Sequence, residues 1–97
     1  MSNFAIHWEY GIDDVRKFEL RQKEWCSDVY VVSSERIYRF EFISKQRLMQ
    51  EASDSISRAG YHHVDRDTFV LGDFSYEEIV RTLESLRSTG YFDRKPD

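Results

Sequence analysis

The sequence predicts an α+β fold: a single domain with a mainly antiparallel sheet of four to five strands and two helices packed on one face. Three observations lead there. A chain of 97 residues holds one hydrophobic core and has no room for a second domain. Apolar residues at 40% beside charged residues at 33% suit a chain that folds and stays dissolved. Strand-like alternation dominates the first half and two helix-period segments the second, an order that a sheet covered by helices satisfies.

Residues 4–10 read as a strand, with Phe4, Ile6 and Trp8 on one side and Ala5, His7 and Glu9 on the other. Gly11 and Asp13-Asp14 mark a turn. Residues 15–20 are assigned to another strand with Phe18 and Leu20 inward. Residues 28–32 are dense in Val and Tyr, and residues 36–43 alternate with Tyr38, Phe40 and Phe42 on one face. Ser33-Ser34-Glu35 between them is short enough for a hairpin.

Ser44 is placed as an N-cap, its hydroxyl accepting from an otherwise unpaired helical N–H. Leu48, Ala52, Ile56 and Ala59 recur on one helical face, and Gly60 follows where a left-handed residue ends a helix. Residues 68–71 read as a short buried strand ended by Gly72-Asp73. Ser75 and Glu78 form a capping box, with Phe74 and Ile79 as its hydrophobic staple. Ile79, Val80, Leu83 and Leu86 give the last helix its apolar stripe, which Gly90 closes. The polar tail, residues 93–97, holds Pro96 and is expected to fray.

Several function classes lose ground on composition. Cys26 is the lone cysteine, so an internal disulfide and a multi-cysteine zinc site are out. It reads as a small core residue. Gly11, Gly60, Gly72 and Gly90 lie far apart and make no phosphate loop. No run of about 18 apolar residues is present for a membrane helix, and the N-terminus lacks a secretory signal, so the expectation is a soluble, cytoplasmic protein without a membrane partner. His62, His63 and Asp65 could ligate a metal or transfer a proton, but adjacent histidines on extended backbone point apart, and they read as structural. Neither a catalytic residue nor a cofactor is assigned.

Charge is the more informative signal. Residues 65–84 hold six acids against two bases, so the whole net charge of −4 lies there and the rest of the chain is neutral. Such a surplus disfavours direct nucleic-acid binding and favours a basic protein partner. Tyr10, Tyr30, Tyr61, Tyr76 and Tyr91 fall near element ends, where tyrosines serve as interface anchors. The candidate partner-binding set is Tyr61, Asp65, Asp67, Asp73, Tyr76 and Glu77. A small adaptor, a regulatory domain or a homodimer through the aromatic face would use the same residues.

The run Tyr38-Arg39-Phe40-Glu41-Phe42, the helix from Ser44, Gly60-Tyr61-His62-His63, the strand Phe69-Val70-Leu71 and the turn Asp73-Phe74-Ser75-Tyr76-Glu77-Glu78-Ile79 together resemble small bacterial immunity proteins. These are partners of polymorphic toxins, including contact-dependent growth inhibition systems. The likeness covers roughly the last two-thirds of the chain and rests on element order and residue type. It implies a cytoplasmic protein without catalysis of its own that binds the C-terminal domain of one cognate toxin, as a 1:1 heterodimer, and blocks it. Many such toxins are nucleases with basic surfaces. An acidic inhibitor would capture one quickly, since steering lifts association to about 10⁸–10⁹ M⁻¹s⁻¹ at low salt.

Overall fold

A computed structural model describes residues 4–93. The chain runs β1 (Phe4–Trp8), α1 (Asp14–Lys23), β2 (Trp25–Cys26), β3 (Val29–Ser33), β4 (Arg36–Arg39), β5 (Glu41–Ser44), α2 (Lys45–Ala59), β6 (Thr68–Leu71) and α3 (Tyr76–Ser88), then a 3-10 turn at Tyr91–Asp93. The α+β class holds. The detail differs from the expected single sheet with two helices on one face: the described residues form two three-stranded sheets and three helices. One sheet has the order β1-β3-β4, all antiparallel. The other has the order β2-β5-β6, in which β5 and β6 run parallel with α2 as their crossover.

The segment expected as one strand, residues 36–43, divides at Phe40, where the chain passes from the first sheet into the second. Its inward alternation survives the bend: Phe40 and Phe42 belong to the core and Tyr38 packs against it. The β3–β4 hairpin closes on Ser34 and Glu35, both at positive φ (52° and 65°), a turn twist that matches the strands but that non-glycine residues adopt at a cost.

Residues 15–20 are helix, not strand. Asp13 caps it, its carboxylate accepting from the Arg16 N–H at 2.8 Å, and Glu24 ends it in the left-handed region. Two residues apart on a helix is 200° around the axis, so Phe18 and Leu20 cannot both point inward. Leu20 is fully buried and Phe18 is 63% exposed.

Leu20, Cys26, Val29, Val31, Phe40, Phe42, Phe74, Ile79, Leu83 and Phe92 form the core between α3, α1 and the sheets. In the second sheet Cys26, Phe42 and Phe69 face this core. By alternation, Trp25, Ile43 and Val70 face the other way, toward α2, which packs on β5 and β6. So α2 and α3 lie on opposite faces of β2-β5-β6. The caps form as expected at both helices. Ser44 Oγ accepts from the Arg47 N–H at 3.0 Å and Ser75 Oγ from the Glu78 N–H at 3.2 Å. Only half of the capping box is made, because the Glu78 carboxylate turns to Arg81. Gly60 closes α2 at φ 85°. The expected fraying falls mainly on residues 94–97, outside the described residues, since Asp93 ends the 3-10 turn.

Candidate partner-binding surface

β6 sorts the predicted site residues into two groups. Tyr61, Asp65 and Asp67 lie on the segment that leads from α2 into β6, and Asp73, Tyr76 and Glu77 follow the strand's far end. Four strand residues at about 3.3 Å each hold the groups more than 10 Å apart, so they bracket β6 rather than merge. Tyr61 is 69% exposed and its ring is available to a partner. Tyr76 is not free: its ring packs on Trp8 at 5.5 Å and carries the Lys17 ammonium at 4.4 Å. That contact ties α3 to β1 and α1.

Two of the six acids in this region pair with arginine, and a third lies beside an imidazole that is cationic only when protonated. Glu78 pairs with Arg81, Glu84 with Arg87 at 3.9 Å, and Asp65 lies 3.6 Å from the His63 imidazole. Asp67, Asp73 and Glu77 are exposed and make no ion pair among the described residues. With histidine counted neutral, Asp65 joins these three as uncompensated. Asp67 also serves the fold through its carbonyl, which accepts from the Glu41 N–H at 3.1 Å and so starts the parallel β5–β6 ladder.

The two histidines make separate contacts. His62 Nδ1 lies 3.1 Å from Ser55 Oγ and anchors the segment to α2, while His63 leans on Asp65. Among the described residues no group of three or more His, Cys, Asp and Glu is arranged to hold a metal ion. Nor is any helix there long and apolar enough to cross a membrane.

Two clusters escape a reading of the sequence. The first is ionic and buried. Asp28, with a side chain only 8% exposed, accepts from Arg16 at 2.7 Å and from the Cys26 thiol at 3.0 Å. Burial opposes the Asp28 charge, yet the Cys26 and Arg16 hydrogen bonds outweigh it and hold the carboxyl below its ordinary value. Burial first, and then the bond to Asp28, push the Cys26 thiol up to about 12. A nucleophilic cysteine needs the thiolate, so Cys26 is chemically quiet here. Nothing in the spacing of positions 16, 26 and 28 announces this contact, which docking of α1 creates.

The second cluster lies on the uncovered face of β1-β3-β4. There the register aligns His7, Tyr30 and Arg39 across three strands. His7 stacks on Tyr30 at 5.1 Å, and the Arg39 guanidinium sits 5.2 Å from the Tyr30 centroid. Arg39 also reaches Glu9 at 3.7 Å. Alternation along β1 and a two-residue hairpin loop would have predicted this row. His7 and Arg39, from the two neighbouring strands, both crowd the Tyr30 ring, which makes it a poor stacking platform for a nucleobase.

Compared with protein-family models, curated proteins and solved structures, the chain matches none of them.

Proposed function

We propose that this chain is an immunity protein of the cytoplasm. It binds the C-terminal domain of a cognate toxin, a basic nuclease, as a 1:1 heterodimer and neutralises it by occlusion without catalysis of its own. One observation carries the reading: the entire net charge resides in residues 65–84, where Asp67, Asp73 and Glu77 stand exposed and unpaired among the described residues at the two ends of β6. Carboxylates left without cations on a small fold raise its self-repulsion, which the place of Glu77 in the first turn of α3 offsets only in part, whereas they speed capture of a cationic surface. Tyr61, exposed beside Asp65 and Asp67, supplies an amphipathic anchor of the kind interfaces favour.

The test is growth rescue by co-expression with the toxin domain encoded in the adjoining upstream reading frame, followed by association kinetics of the purified pair. Charge reversal at D67K, D73K and E77K together should slow association several-fold at low ionic strength. The difference should vanish toward 1 M salt, where screening acts within about 3 Å. Unchanged kinetics at low salt would remove the charge mechanism, and absence of rescue would remove the immunity role.

A further inference from the structure

In the β2-β5-β6 sheet, β6 is an outer strand. The bond from Glu41 N–H to the Asp67 carbonyl sets the phase of the parallel ladder. In that phase Thr68 and Val70 turn their N–H and C=O groups away from β5. The Thr68 N–H is taken by the Asp65 carbonyl at 3.2 Å. This leaves the Thr68 carbonyl and both main-chain groups of Val70 facing outward, and among the described residues no strand pairs there.

Helix α2 overhangs this edge, and α3 borders a groove beside it. On one face Arg47 reaches back over Trp25 of β2, at 5.8 Å, which fixes the flank of α2 that faces β2. Ile56 lies nine residues on, half a turn around the axis, so Ile56 and its neighbours Met49 and Ala52 occupy the opposite flank, beyond β6. Met49 and Ile56 are 62% and 54% exposed there, and Val70, on the α2 face of the sheet, is 45% exposed. On the other face a cavity of about 300 Å³ opens between β6 and α3, lined by Phe69, Arg81, Thr82, Ser85 and Leu86. An unfilled edge with apolar side chains on one face and a groove of mixed polarity on the other offers the place of a further strand.

We infer that the outer edge of β6 accepts an extended peptide segment of the partner as an added strand. Its side chains alternate between the Met49–Ile56–Val70 surface and the groove beside Leu86, and its ends carry Lys or Arg. The basic ends follow from charge: Asp65 and Asp67 stand at one end of β6 and Asp73 at the other. Main-chain pairing supplies the register and alternate pockets the choice of side chain. The inference rests on the reading of this chain as a binding protein and names what it grasps. The uncovered face of β1-β3-β4 is a weaker candidate, because its aromatic row is already stacked on itself.

The experiment selects a random dodecapeptide library on the full-length chain and measures the recovered peptides against two variants. Val70→Pro removes the outward N–H and spares the β5 ladder, a place where an edge strand tolerates proline. Ser85→Trp fills the groove from α3, so a folding defect in the first variant leaves the second to decide. The recovered peptides should alternate in polarity, carry basic ends, and bind at least one folded variant tenfold or more weakly. A selection that yields no such peptides, or peptides indifferent to both blocks, overturns the edge site. Rescue from a toxin that survives both substitutions would overturn the edge and leave the immunity role standing. Peptides held at the edge by a chain that rescues nothing would do the reverse.

Discussion

Replacing Arg16 by Met tests the buried ionic cluster most directly. The substitution keeps the aliphatic length of the side chain and deletes the cation, leaving the Asp28 carboxylate, 8% exposed, with the Cys26 thiol as its remaining side-chain partner. Breaking a buried pair from one side costs about 3–5 kcal/mol, and since Arg16 is itself 22% exposed the lower figure applies. Against a total of roughly 5–15 kcal/mol that is a large fraction. With a urea slope of about 1–3 kcal/mol/M, the midpoint should fall by about 1–3 M, followed by fluorescence of Trp8 and Trp25. The pH dependence carries a sharper signature. In the native chain the folded Asp28 carboxyl lies below its unfolded value of about 3.9, so its stabilisation is present above that pH and is lost as acid is added. Without Arg16 two of the causes that hold the carboxyl down are gone, so the folded value moves upward and the stabilisation lost on adding acid shrinks. Adding Asp28→Asn to the variant should restore more than half of the loss, because no buried charge remains. A cost under about 1 kcal/mol, an unchanged pH slope, or additive single and double effects would refute the reasoning.

Two further expectations use the same denaturation assay. Cys26 should resist thiol reagents at pH 8 at the rate of global unfolding, and fast labelling of folded protein would contradict its burial. Its folded thiol value of about 12 lies above the unfolded one near 9, so stability is full below pH 9 and falls by about 4 kcal/mol toward pH 12, a decline that Cys26→Ala should abolish. Phe42→Ala should cost about 3–5 kcal/mol, whereas Phe18→Ala on the exposed flank of α1 should cost under about 1 kcal/mol. Comparable costs would mean that α1 is turned the other way.

Where local chemistry alone decides, the sequence was legible. The two serine caps, the Phe74–Ile79 staple, the inward set Phe4, Ile6, Trp8 and the β3–β4 hairpin all follow from neighbours within a few residues. Failure came where two local signals compete. Val15, Phe18 and Leu20 suit either a strand or a short helix, and Asp13, read as a turn residue, is the cap that tips the choice. Sheet partition was illegible for another reason: the bend at Phe40 preserves alternation, so no change of period betrays that the chain leaves one sheet for another. The acidic surplus was legible as a segment, but its division by β6 needs the strand's placement. Asp28 was invisible because its partner Arg16 arrives from a helix that had not been recognised.

The amphipathic stripe of α2 shows how folding and binding share one surface. Leu48 and Ala52 are half-buried on it, while Ile56 and Met49 overhang β6, so the stripe is rotated away from the face that the sheet covers. Covering Met49, Ile56 and Val70, each about half exposed, contributes about 1 kcal/mol apiece. The three outward main-chain groups of β6 add about 1 kcal/mol each when paired. Some 6 kcal/mol in all barely meets the 4–15 kcal/mol that association and ordering cost. Strand addition alone therefore yields weak binding, and a free peptide at this edge is expected to bind no tighter than micromolar. A folded partner that presents the same strand already extended escapes most of the ordering cost, fills the groove beside Leu86 and meets Asp67 and Asp73 with its own cations. On this reasoning the edge determines which segment is accepted and in what register, and the carboxylates determine how fast it is found.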